Sequence, residues 1–291
     1  MNKIVLGTVQ FGLDYGISNS RGQVPKNEVF EILNYALKNN INFLDTAFAY
    51  GNSEQVLGEY FESNFNDFNK NSVFKIVSKL PAKTDDVRQF FEKSLENLKQ
   101  EKIYGYLTHD FASFKNDENI WNEFLKLKAE DKVQKIGFSL YYPTDLEFVL
   151  DKEIAFDIVQ IPYNLFDRRF EPYFAELKKR KIEIHTRSAF LQGLVFKKPD
   201  DLSDHFNPIK SKLTRLKKLS VERNIPIFAL CLNFANLNKF IDGVVVGVDS
   251  LANFTELLDY SKYTKLTEDI LDELYCFEEN DENIILPFNW K

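Results

Sequence analysis

The 291-residue sequence predicts a single α/β domain over residues 1–291, a (β/α)8 barrel of the TIM type with a C-terminal helix and tail. Three observations predict it. Short apolar segments and amphipathic helical patterns alternate eight times, from Ile4 to Leu258. Alternation of that kind implies a parallel sheet, and eight units favour closure. Polar residues end successive apolar segments at Asp45, Lys79, His109 and Ser139, spaced by 34, 30 and 30 residues, one βα unit each. The open doubly wound alternative usually carries GxGxxG after an early strand, and neither that motif nor GxxxxGK[ST] occurs.

In order, Ile4–Leu6 reads as the first strand, followed by a long loop through Gly22. From Pro25, Val29, Ile32, Leu33, Ala36 and Leu37 form a helical stripe. The second strand, with Ile41, Phe43 and Leu44, stops at Asp45, and Gly51 turns the chain into a helix from Ser53. Strand three is Val73–Ser78, with Lys79 at its end. Thr84 is the expected cap of a helix with Asp85 and Asp86 in its first turn and Val87, Phe90, Phe91, Leu95 and Leu98 inward. Strands four to eight are Tyr104–Thr108, Gln134–Phe138, Asp157–Ile161, Ile182–Thr186 and Gly243–Val246. Helices follow around Ile120–Lys128, after Pro143, over Leu213–Arg223 and Pro226–Leu237, and through Leu258. Thr267–Phe277 reads as a further helix before an apolar tail, Ile284–Trp290.

The net charge of −7, with basic residues scattered among acids, argues against nucleic acid. No apolar run reaches 18 residues, and Gly7, Gln10 and Asp14 break the N-terminal run, so neither a membrane span nor a signal peptide is expected. Cys231 and Cys276 lack CxxC spacing and read as reduced structural thiols of a cytoplasmic protein. No metal-ligand set is legible.

In a closed barrel all strand C-termini open on one face, so Asp45, Lys79 and His109 converge there, with Tyr50 in the loop after Asp45. Asp45 in a dry core needs a cation, and Lys79 on the next strand supplies it. The ammonium is expected to lower the pKa of the Tyr50 phenol, and His109 to share a hydrogen bond or relay a proton. A phenolic acid of this kind suits protonation of the oxyanion formed when a carbonyl is reduced.

These motifs together resemble the aldo-keto reductases: Asp45-Thr-Ala-Phe-Ala-Tyr50-Gly51-Asn-Ser-Glu54, Val-Ser-Lys79-Leu and Tyr-Leu-Thr-His109-Asp, followed by Gly137-Phe-Ser139, Gln160-Ile-Pro-Tyr-Asn164, Ser188-Ala-Phe-Leu-Gln-Gly193 and Val245-Val-Gly247, all in family order. The resemblance implies hydride transfer from a nicotinamide cofactor to a small-molecule aldehyde, ketone or sugar-derived carbonyl. Tyr50 would be the acid, Lys79 would tune it, Asp45 would hold Lys79, and His109 would orient the carbonyl. Ser139 and Gln160 would hold the carboxamide. Arg187, Ser188, Phe190, Gln192 and Gly193 match the nicotinamide and pyrophosphate side; Gly247, Val248, Asp249, Ser250 and Asn253 match the adenosine-phosphate side. Gln10, Phe11 and Tyr15 are expected to touch substrate.

The sequence also departs from the family pattern. The chain opens directly on strand one without the usual β-hairpin, leaving the barrel floor to another element such as the C-terminal tail. Leu140 stands where an Asn usually follows Ser139. Arg187 replaces a ring expected to stack on nicotinamide; its charge would favour the reduced cofactor over the cationic oxidised form. Asp249 replaces a cation expected for the 2′-phosphate, so NADP(H) is the family default and NAD(H) stays open. The alternatives are a cofactor-sensing regulatory barrel with little turnover, and a lyase with Lys79 as a Schiff-base amine. His185 reads as barrel filling, and Arg168-Arg169 as an anion site or a pair of salt bridges.

Overall fold

The computed structural model describes residues 3–64, 74–84 and 86–290. Eight strands run β1 (Ile4–Gly7), β2 (Phe43–Asp45), β3 (Lys75–Leu80), β4 (Ile103–Thr108), β5 (Val133–Ser139), β6 (Ile158–Pro162), β7 (Glu183–Arg187) and β8 (Gly243–Gly247). Each pairs parallel with the next, and β1 pairs parallel with β8, which closes the barrel. The expected (β/α)8 architecture is therefore present. Lys79, Ser139, Arg187 and Gly247 belong to their strands rather than following them, so strand pairing fixes their directions.

The helices cover the outside for the reason their stripes suggest. In the helix Lys26–Lys38, Val29, Ile32, Leu33 and Ala36 are fully buried against the barrel. Each large aliphatic removed from water in this way is worth roughly 1.5–3 kcal/mol. Between β6 and β7 the covering helix is only Phe174–Lys179, six residues, too short to show a stripe in the sequence.

Three local expectations change. The helix Val87–Leu98 is capped by Asp86, not Thr84: the Asp86 carboxylate accepts from the Gln89 N–H at 2.8 Å, while Thr84 Oγ1 accepts from Asp86 N–H. Val73 and Asp85, read as strand and first-turn residues, lie outside the described residues. The expected helix Thr267–Phe277 is instead Thr264–Asp269 and Leu271–Leu274 with a 3-10 turn at Tyr275–Phe277. Ile270 breaks it by bonding its N–H to the Thr267 carbonyl, three residues back. Finally, Cys231 is buried but Cys276 is exposed, and both are free.

The barrel floor is closed from within. Tyr104 on β4 donates to Glu183 on β7 at 2.7 Å, and Lys135 on β5 pairs with the same carboxylate. His185 Nε2 lies 2.7 Å from the other Glu183 oxygen, and Lys75 sits over the rings of Phe43 and Tyr104. The C-terminal tail does not fill the floor. Phe288 packs edge-on against Tyr141, just beyond β5 at the opposite end, and Trp290 packs on Phe206. Among the described residues no helix is long and apolar enough to cross a membrane.

Candidate active site

The site is built where β2 and β3 end. Lys79, with no exposed surface, donates to Asp45 Oδ1 at 2.7 Å and to the Thr46 carbonyl at 2.8 Å. Gln160 on β6 donates to the other Asp45 oxygen at 2.6 Å. Asp45 therefore has both oxygens engaged, which is what allows a carboxylate to be only 2% exposed. The turn that carries Tyr50 is fixed by backbone packing. Gly51 has φ +56°, and a Cβ there would lie 2.2 Å from the Gly12 carbonyl oxygen; a Cβ on Gly12 would lie 1.8 Å from the Tyr50 carbonyl oxygen. Ser53 ties the same turn to β1, donating to the Thr8 carbonyl at 2.9 Å. Glu54 is held beneath by Ser78 Oγ at 2.6 Å.

Tyr50 and His109 meet above this buried pair. Their rings are edge to face with centroids 5.6 Å apart, and Lys79 Nζ is 3.5 Å from the Tyr50 hydroxyl. The expected downward shift of the phenol is not what the geometry gives. Burial and the Asp45 carboxylate push its pKa up, and Arg187 is the cation that opposes them. Lys79 is itself pushed down by burial, with Asp45 holding against that shift. His109 is lowered to about 3 by burial and by the charges of Lys79 and Arg187. At neutral pH the site thus presents a protonated phenol and a neutral imidazole.

A cavity of about 590 Å³ opens over these groups and runs out to the helix Leu251–Leu258. Of the residues singled out in the sequence, it is lined by Gln10, Tyr15, Asp45, Tyr50, His109, Ser139, Gln160, Arg187, Ser188, Phe190, Gln192, Gly193, Gly247, Asp249 and Asn253. Four are placed elsewhere. Lys79 lies beneath the cavity wall, and Phe11 is fully buried in the core because the turn Val9–Gly12 aims it inward. Val248 is core, 1% exposed, and Ser250 caps the helix by accepting from the Asn253 N–H at 3.1 Å. Arg168 and Arg169 do not reach the cavity; they pair with Glu278, Asp167 and Glu282.

The segment 188–193 carries positive φ at Ser188, Leu191, Gln192 and Gly193, and a Cβ on Gly193 would lie 1.9 Å from Ser18 Oγ. Three non-glycine residues in that region are costly, and such strain gathers at ligand-binding segments. The loop after β1 is bound to this segment: Ile17 N–H donates to the Gln192 carbonyl at 3.1 Å, and Gln192 Nε2 to the Tyr15 hydroxyl at 2.8 Å.

With the barrel and this mouth in place, comparison with known proteins decides the family. The model of the aldo/keto reductase family matches residues 3–276. The chain belongs to the aldo/keto reductase family. Across 97% of its length it is 24% identical to the uncharacterized oxidoreductase YqkF of Bacillus subtilis, covering 98% of that protein. It is 29% identical to dihydrodiol dehydrogenase 3 of Bos taurus over 45% of this chain and 47% of that one. Among solved structures, the holo form of aldo-keto reductase AKR11C1 from Bacillus halodurans superimposes with a TM-score of 0.74 at 17% identity, covering 96% of this chain and 94% of that one. Membership makes this aldo/keto reductase an oxidoreductase acting on small molecules.

Tyr141 escaped the sequence reading. Its ring centre lies 3.8 Å from the guanidinium carbon of Arg187, whose Nη2 also donates to the Leu140 carbonyl at 3.0 Å. Two successive tyrosines after β5, where the family pattern has Asn replaced by Leu140, were the signal available.

Proposed function

We propose that this aldo/keto reductase reduces the carbonyl of an aldehyde, ketone or sugar-derived substrate with NAD(P)H, Tyr50 being the proton donor. The observation that carries the proposal is a phenol at the cavity wall, 3.5 Å from a buried lysine that is locked by Asp45. The residues fit a nicotinamide dinucleotide. The cavity volume suits a ligand of that size. Among the described residues, Gln10 Oε1 at the cavity wall is a buried acceptor without a partner, and a Cβ on Gly247 would lie 2.6 Å from it, so only glycine lets the Gln10 amide sit there. Arg187, Ser188, Gln192, Gly247 and Asn253 would line the cofactor, which when bound supplies the hydride.

The chain's own residues do the rest. A carbonyl oxygen placed between Tyr50 and His109 accepts a hydrogen bond from each, His109 donating through one N–H of its neutral ring. Tyr50 then passes its proton to the developing oxyanion. The phenolate left behind is stabilised by the Lys79 and Arg187 charges, and the dry surroundings strengthen both attractions. Lys79 as a Schiff-base amine fits poorly, since it has no exposed surface and two short hydrogen bonds. Two free cysteines, one exposed, suit a reducing compartment, and we place this single-domain enzyme in the cytoplasm.

The test is oxidation of NADPH and of NADH across a panel of aldehydes, ketones and reducing sugars. Turnover with at least one carbonyl supports the proposal. Tight cofactor binding without turnover on any of them would favour the regulatory reading instead.

A further inference from the structure

The corner where β8 meets the helix Leu251–Leu258 is already filled by the chain's own charges. Glu28, on the helix after β1, places Oε1 3.0 Å from the Leu251 N–H and 3.1 Å from Arg21, and Oε2 2.8 Å from Arg21. Arg21 also donates to the Asp249 carbonyl at 3.0 Å. Ser250 Oγ accepts from the Asn253 N–H and donates to Asp249 Oδ1 at 3.0 Å, and the Phe254 N–H is bonded to the Ser250 carbonyl. Two of the N–H groups that a helix start leaves free, those of Leu251 and Asn253, are thus spent, one of them on a carboxylate. Asp249 and Asn253 line the same cavity as Tyr50, on the segment that follows β8, where the non-reacting end of a long cofactor would lie.

From this arrangement we infer that the corner accepts the 2′-hydroxyl of an NAD(H) ribose and refuses the 2′-phosphate of NADP(H), with Glu28 and Asp249 as the discriminating residues. A helix N-terminus attracts an anion through its free N–H groups and its dipole. Here Glu28 is that anion. Among the described residues, the cation bonded at this corner is Arg21, held on Glu28 by two parallel bonds and on a carbonyl, so its charge is spent as well. Two carboxylates and one guanidinium leave the corner with a net negative charge. A phosphomonoester, which carries roughly −1.5 to −2, meets repulsion there. A ribose hydroxyl instead finds an acceptor in the Asp249 carboxylate. Glu28 is held below its ordinary carboxylate range, chiefly by the Arg21 hydrogen bond, so the negative charge persists.

The inference rests on the reading of the cavity as a nicotinamide dinucleotide site, and one binding experiment separates the two. Calorimetric titration of the full chain with NADH and with NADPH is expected to give NADH the tighter binding by about tenfold or more. Glu28→Gln keeps the shape but frees Arg21, and should shrink that ratio by about tenfold; Asp249→Asn, at the cavity surface, should shrink it independently should Glu28→Gln fail to fold. A ratio below tenfold in the wild type, or one unmoved in every folded variant, overturns the discrimination. Failure of both cofactors to bind overturns the functional reading itself, and this inference with it.

Discussion

The two ends of the barrel carry the same four kinds of side chain. At the mouth stand Asp45, Lys79, Tyr50 and His109; at the floor stand Glu183, Lys135, Tyr104 and His185. At the floor the set closes on itself, with Tyr104, His185 and Lys135 all directed at one carboxylate. At the mouth the carboxylate is consumed by Lys79 and Gln160, so the phenol and the imidazole keep their hydrogen-bonding capacity for the cavity. A phenol, an imidazole and an ion pair therefore do not make a site by being together. What makes one is a donor left unspent beside open space. The floor set closes on itself inside the barrel, and the mouth set faces the cavity.

The largest expected effect comes from cutting each ion pair. Lys79→Met leaves Asp45 buried with only Gln160, and should cost about 3–5 kcal/mol, read from chemical denaturation. Lys135→Met leaves Glu183 its bonds to Tyr104 and His185, and should cost about 1 kcal/mol. Equal losses at the two ends would erase the contrast.

A smaller effect separates the ends by pH. His109 is lowered to about 3, against about 6.5 for a free imidazole. Its contribution to stability is therefore complete above about 6.5 and is lost as pH falls toward 3. At the floor burial works against ionisation, but bonds and charge from His185, with Lys135 and Tyr104, hold Glu183 down at about 2. Its contribution is complete above about 4.3 and is lost only as pH falls toward 2. In melting temperatures followed against pH, His109→Gln should flatten the decline that begins near 6.5, and Glu183→Gln only the part below about 4.3. A decline near 6.5 that survives His109→Gln would contradict the neutral imidazole at the mouth.

The mouth was legible in the sequence because its residues end consecutive strands, and strand ends are marked by a change from apolar to polar side chains. Asp45, Lys79 and His109 stand out in this way, and closure of the barrel brings them together without further information. The floor was not. Glu183 and His185 alternate along β7 with Ile184, which is a strand's ordinary period of two, and nothing local says that Lys135 and Tyr104 from other strands will meet them. Glu28 was illegible for a related reason: its partners Arg21 and Leu251 come from the loop after β1 and the helix after β8, which adjoin only once the barrel closes. The pKa of Tyr50 was misread because one neighbouring cation was weighed without full burial and without the Asp45 carboxylate.

The central claim is that Tyr50 is the phenol that gives up its proton and Tyr104 is not. The direct measurement is kcat of Tyr50→Phe beside Tyr104→Phe, on the best carbonyl found in the panel and at saturating cofactor. Tyr50→Phe should lower kcat by about 10²–10⁴, the range lost with a positioned general acid, while Tyr104→Phe stays near wild type and loses only stability. Wild-type kcat in Tyr50→Phe would contradict the account.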